Sequence, residues 1–126
     1  MTDVLVADDD QRIAQLHAKL LERAGFMVTV VDNGLAAFAA LQQQRYRAIV
    51  CDIQMPFLEG TRLYDQIREE FPEAAGRVVF VTGWAHDAET RKFLEQTGQP
   101  YLPKPVDFEK LVATVTRVVE RPFAEA

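Results

Sequence analysis

Short apolar runs alternate with amphipathic stretches five times along this chain, and few architectures accept that pattern. The runs are Asp3–Ala7, Met27–Val31, Ala48–Cys51, Arg77–Thr82 and Tyr101–Leu102. Between the first two, Gln11–Ala24 carries Ile13, Leu16, Leu20 and Ala24 on one helical face, with Arg12, Lys19, Glu22 and Arg23 elsewhere. Asp10 is a good N-cap for that helix and Gly25 a good residue to end it. Asn33-Gly34 turns the chain into an Ala-rich helix ending near Gln44, with Phe38 and Leu41 inward. Gln54–Gly60 reads as a loop. A third helix, with Leu63 and Ile67 inward, runs to about Phe71, where Pro72 stops it. A fourth spans about Ala88 to Thr97, closed by Gly98. The fifth, Phe108–Glu120, sets Phe108, Leu111, Val112, Val115 and Val119 on one face and ends before Pro122.

Five strands and five helices in strict alternation predict one α/β domain over residues 1–126, a doubly wound parallel sheet with helices on both faces. Ala48–Cys51 is apolar throughout, as a strand covered on both faces requires. Tyr101–Leu102 is flanked by Pro100 and Pro103, and proline confines a strand to a sheet edge. Strand order 2-1-3-4-5 meets that demand and makes the first and third strands neighbours. Ligands in such sheets bind beyond the carboxyl ends of the strands, where the order reverses. Asp8-Asp9 follow the first strand, Asp52 the third, Thr82 ends the fourth, and Lys104-Pro105 follow the fifth. Three carboxylates, a hydroxyl and an ammonium are thereby expected in one small cleft. Carboxylates so close cannot all stay ionised without a cation, so the cluster calls for a metal. A phosphoryl group would account for the hydroxyl and the lysine.

The net charge is −5, and setting aside Asp8, Asp9, Asp10, Asp52 and Lys104 takes it to −2. The acidity is concentrated in the expected site. No basic footprint of a direct nucleic-acid binder exists, and no apolar stretch approaches a membrane span. The opening Met1-Thr2-Asp3 is unlike a secretory signal, and a single cysteine, Cys51, fits a reducing compartment. A cytoplasmic chain is expected, with Cys51 a small buried hydrophobe. Asp10 alone reads as a helix cap. His17 reads as a helix-face residue and His86 as a loop residue, too far separated for a metal site.

Several segments together carry a resemblance: Val6-Ala7-Asp8-Asp9-Asp10, Ile49-Val50-Cys51-Asp52-Ile53-Gln54-Met55-Pro56, Glu59-Gly60, Val81-Thr82-Gly83 and Tyr101-Leu102-Pro103-Lys104-Pro105. In these the chain resembles the receiver domain of response regulators in two-component signalling, which has the flavodoxin-like fold. The resemblance implies that Asp52 is the phosphoacceptor. It implies Mg²⁺ held directly by Asp9 and Asp52, through water by Asp8, and by the backbone carbonyl of Gln54. Thr82 would bond the phosphoryl group, Lys104 would pair with Asp52 and then with a phosphoryl oxygen, and the Lys104-Pro105 bond would be cis. Tyr101 matches an aromatic switch residue that turns inward when Thr82 is drawn to the phosphoryl group. The implied partners are a histidine kinase or histidine phosphotransfer protein, and a downstream protein on the face of the fourth helix, fifth strand and fifth helix, with Phe93, Tyr101, Leu102 and Pro103 on it. Homodimerisation on phosphorylation is a further implied possibility.

Two positions depart from the commonest receiver forms. Trp84 is large and stands two residues after Thr82, where it is expected to limit water access. Thr97-Gly98-Gln99-Pro100-Tyr101 looks more like receivers of hybrid kinases and phosphorelays than those of DNA-binding regulators. The chain would be a stand-alone receiver or a piece of something longer. A flavin-binding electron carrier would need a Ser/Thr- and Gly-rich loop after the first strand, where three acids stand instead. A haloacid-dehalogenase-like phosphatase needs a second Asp two residues after the first, and that position holds Gln54. A degenerate receiver that binds partners without phosphorylation is disfavoured, because every expected site residue is present.

Overall fold

The computed structural model describes residues 3–54 and 60–123. The strands are β1 (Val4–Ala7), β2 (Val28–Val31), β3 (Ala48–Asp52), β4 (Val78–Thr82) and β5 (Tyr101–Pro103). They pair in parallel in the order β2-β1-β3-β4-β5. The helices are α1 (Gln11–Arg23), α2 (Gly34–Gln43), α3 (Gly60–Glu70), α4 (Pro72–Ala75), α5 (Ala88–Thr97) and α6 (Phe108–Val119). The described residues therefore hold six helices where five were expected. Pro72 stops α3 and also opens the extra turn: it sits at the first helical position of α4, where its missing N–H costs nothing.

Strand alternation sorts the core into two layers. Leu5, Ala7, Ile49, Cys51, Val78 and Phe80 pack with Ala37, Leu41, Leu63, Ile67 and Leu94. Val4, Val6, Ala48, Val50, Val79, Val81 and Leu102 pack with Ala14, Leu21, Leu111, Val115 and Val118. So α2, α3 and α5 cover one face of the sheet, and α1 and α6 the other. Tyr64, Phe80 and Phe93 form a triangle of edge-to-face rings with centroids 5.3 to 5.9 Å apart.

Local signals hold at the caps. The Asp10 carboxylate accepts the N–H groups of Arg12 and Ile13, and Asn33 accepts that of Ala36. Gly25 and Gly98 have φ of 104° and 67°, conformations that cost a side chain.

Two helix faces differ from expectation. The residues α1 buries are Ala14, His17, Ala18 and Leu21, while Leu16 is exposed. Small alanines let the helix approach the sheet closely, and the larger apolar side chains fall to the flank. On α6, Leu111 and Val115 are buried as expected, and Val112 and Val119 partly so, but Phe108 is exposed. As the first residue of α6, it precedes the turn that meets the sheet.

The pole opposite the carboxyl ends of the strands is fastened by Arg77, which is 3% exposed. Its guanidinium donates to the carbonyls of Arg47 (3.1 Å), Val118 (3.3 Å) and Arg121 (2.6 Å). The ring of Phe123 lies 3.9 Å over it, and Arg121 donates to the Gly76 carbonyl. One side chain thus joins the end of α6 to the entries of β3 and β4.

Candidate functional site

Register decides which polar residues meet. Ala7 pairs with Cys51, so Asp8, one residue on, stands level with Asp52. Asp52 pairs with Val81, and Thr82 with Pro103, which brings Thr82 and Lys104 to the same edge. A 2.8 Å bond from the Lys104 N–H to the Thr82 carbonyl fixes the last of these strand ends. The Lys104-Pro105 peptide is cis, as expected.

Asp8, Asp52 and Thr82 are all buried. Carboxylate oxygens of Asp8, Asp9 and Asp52 lie within 4.8 Å of one another, Asp9 alone being exposed. Asp52 takes 3.0 Å from the Lys104 ammonium on one oxygen and 3.1 Å from the Gln54 N–H on the other. Asp8 accepts the Asp10 N–H at 2.9 Å and lies 3.9 Å from the same ammonium.

The electrostatics follow from this crowding. Burial pushes the Asp52 carboxyl up to about 6 from an ordinary 3.8; the Lys104 hydrogen bond opposes that rise and the Asp8 charge adds to it. The Asp8 carboxyl is also raised, chiefly by burial, against the Asp10 N–H and the Lys104 charge. Burial works to lower the Lys104 ammonium, but the hydrogen bond to Asp52 and the charges of Asp52 and Asp8 raise it overall. Lys104 works against the burial of both carboxylates, joined on Asp8 by the Asp10 N–H and on Asp52 by the Gln54 N–H.

Thr82 is placed differently. By alternation it continues the face of Phe80, whereas Asp8, Asp52 and Lys104 continue the face of Val6, Val50 and Leu102. Its hydroxyl donates to the Gln54 side-chain carbonyl at 3.3 Å and accepts the Trp84 N–H at 3.0 Å. Gln54 and Trp84 line a groove of about 590 Å³ with Ile53, Thr61, Asp87, Glu89, Thr90 and Phe93. Trp84 is 62% exposed, at the mouth of that groove.

Asp8, Asp9, Asp52 and Lys104 come together as the register dictates, whereas the Thr82 hydroxyl is turned to the other face of the sheet, onto Gln54 and Trp84. Met55, Pro56 and Glu59 of the motif lie outside the described residues. Tyr101 stands outward, 44% exposed, and Pro103 is exposed beside it, but Leu102 is buried and is not part of that surface. Phe93 is turned largely into the aromatic triangle. Cys51 is buried, and burial pushes its thiol far up, as suits an inert core residue. His17 lies on the buried face of α1, and burial followed by the Lys104 charge lowers its imidazole. Its neighbours around a recess of about 430 Å³ are Ile13, Leu16, Lys104, Pro105, Val106 and Phe108. The two residues that sequence reasoning missed are Arg77 and the side chain of Gln54. Neither has a local signal, since their partners lie 28 to 44 residues away.

The fold and this acidic pole define a doubly wound α/β domain with its candidate site at the carboxyl ends of the strands. The chain belongs to the response regulator receiver domain family, whose model matches residues 4–116. It is similar to the response regulator receiver protein CpdR of Brucella abortus, at 30% identity over 94% of this chain and 98% of that one. It is 29% identical to the transcriptional regulatory protein PcoR of Escherichia coli over its whole length, which spans only 55% of PcoR. A solved receiver domain, that of the Francisella response regulator 1452, superposes with a TM-score of 0.85 at 30% identity, covering 96% of this chain and 98% of that one. Among the described residues, no helix is long and apolar enough to cross a membrane.

Proposed function

We propose that this receiver accepts a phosphoryl group on Asp52 from a phosphohistidine of a partner kinase or phosphotransfer protein, or from a small acyl phosphate. The observation that carries this is a buried carboxylate at the end of β3, bonded to Lys104 and flanked by two further acids. An Asp52 oxygen attacks phosphorus, the phosphorus–nitrogen or phosphorus–oxygen bond of the donor breaks, and an acyl phosphate forms. Phosphoryl transfer asks a protein for positioning and charge neutralisation more than for covalent machinery.

The donor set fits Mg²⁺: hard oxygen ligands, few carboxylates and room for phosphoryl oxygens. Asp9, Asp52 and the Gln54 carbonyl would hold it, with Asp8 acting through water; when bound it neutralises the carboxylates and the incoming phosphoryl oxygens. Lys104, already on Asp52, carries its positive charge to a phosphoryl oxygen as the carboxylate is consumed. Thr82 then supplies a hydroxyl to the new group. That charge-assisted bond biases a two-state equilibrium on the face of α5, β5 and α6, in which Tyr101 turns from its outward position. The domain is a switch that assists its own phosphorylation and dephosphorylation, and a downstream protein reads that face.

Incubation with acetyl phosphate and Mg²⁺ followed by intact-mass measurement tests this. One added phosphoryl group is expected on the native chain and none on Asp52→Asn. An unmodified native chain, or an undiminished adduct on the variant, refutes it.

A further inference from the structure

The Thr82 hydroxyl has one proton, and the structure shows where it goes. The residue is fully buried, so that proton requires an acceptor. One oxygen lone pair already takes the Trp84 N–H at 3.0 Å. The acceptor for the proton is the Gln54 side-chain carbonyl at 3.3 Å. The opposite amide orientation would aim a second donor at the hydroxyl and leave its proton without that acceptor. Thr82 is therefore committed to the groove side of the sheet, away from the face that Asp52 and Lys104 continue.

We propose that the Gln54 side chain is a positioning residue for the switch, a latch that holds Thr82 in its resting state and must release it before Thr82 can bond a phosphoryl group. The inference rests on the function proposed above and adds a competitor to it. A single hydroxyl proton cannot serve Gln54 and a phosphoryl oxygen together. The phosphoryl oxygen wins because a bond to an anionic acceptor is roughly twice as strong as one between neutral groups. The latch lowers that advantage by the worth of the bond broken. At 3.3 Å the bond is long for a hydroxyl donor, so the latch is weak and reversible. The backbone of Gln54 is tied separately, its N–H donating to Asp52 at 3.1 Å, so the side chain can be changed while that bond stays.

Equilibrium binding of beryllofluoride in Mg²⁺, measured by titration calorimetry on the full chain, tests the latch without interference from hydrolysis. Gln54→Met keeps the length of the side chain and removes the acceptor. It should bind the phosphoryl mimic about twofold to fivefold tighter than the native chain, the worth of one weak neutral hydrogen bond. In a Thr82→Ala background the same substitution should change nothing. Unchanged or weaker binding by Gln54→Met overturns the latch, as does an equal gain in both backgrounds. A native chain that binds no beryllofluoride in Mg²⁺ overturns the phosphoacceptor reading itself, and the latch with it.

Discussion

Replacing Asp52 by Asn should stabilise the metal-free protein while abolishing its proposed chemistry. Two buried carboxylates face one ammonium, and burial has moved Asp52 from 3.8 to about 6. At ~1.4 kcal/mol per pH unit, keeping that group ionised at pH 7 costs about 3 kcal/mol. That cost already contains the Asp8 repulsion and the Lys104 attraction; Asn removes it, but its NH2 group has no acceptor in place of a carboxylate oxygen, so the net gain expected is about 1–2 kcal/mol. For a domain of 126 residues that is a rise in Tm of roughly 3–8 °C. The pH dependence has a definite sign. The folded-state value lies above the unfolded one, so folding takes up a proton as pH falls. Asp52 therefore makes the metal-free native protein more stable as pH is lowered from about 7 towards 4, and this contribution is lost as pH rises through about 6. Asp52→Asn should lack that component. Adding Mg²⁺ at pH 7 should stabilise the native protein more than the variant and narrow the gap between them. The assay is urea denaturation of both proteins between pH 5 and 8, in chelator and in millimolar Mg²⁺. A variant no more stable than the native protein in chelator, or equal stabilisation of both by Mg²⁺, would show that the site is not strained in the way its geometry implies.

Other positions give separate tests. Arg77→Ala should cost about 3 kcal/mol of stability in urea denaturation, because three carbonyls lose a charged donor, and Arg77→Lys should recover less than half of that. Asp10→Ala should cost about 1 kcal/mol in the same assay by removing the α1 cap, with acetyl-phosphate labelling of Asp52 retained. Trp84→Ala should speed loss of the phosphoryl group from Asp52, followed by intact mass over time. An unchanged or slower loss would mean that this exposed ring does not restrict water.

What could be read from the sequence was whatever is local or periodic. The strands, their order, the capping role of Asp10 and the convergence of Asp8, Asp52 and Lys104 follow from alternation, local signals and register. The buried face of α1 did not. Counting large apolar residues favours Ile13, Leu16 and Leu20, whereas packing against a sheet favours the side with Ala14 and Ala18, and it takes His17 inward with them. A proline after a helix marks an end, but only the three-dimensional path shows that Pro72 also begins something. Arg77 reads locally as a polar strand boundary. Its work depends on carbonyls of Val118 and Arg121 that only the folded chain brings near. The side chain of Gln54 is legible only once β4 has placed Thr82 beside it.

The Arg77 fastening has a mechanical consequence for how a signal can leave the site. The far end of α6 is tied through one guanidinium to the starts of β3 and β4, and capped by the ring of Phe123. The near end follows Lys104-Pro105, next to Asp52. A rod anchored at one end cannot slide along its axis; it can only swing. Any displacement of α6 that began at Asp52, the proposed phosphoacceptor, would then be largest beside Phe108 and vanish towards Val118. In such a swing the exposed Phe108 would be the tip of the lever and the buried Arg77 its fulcrum.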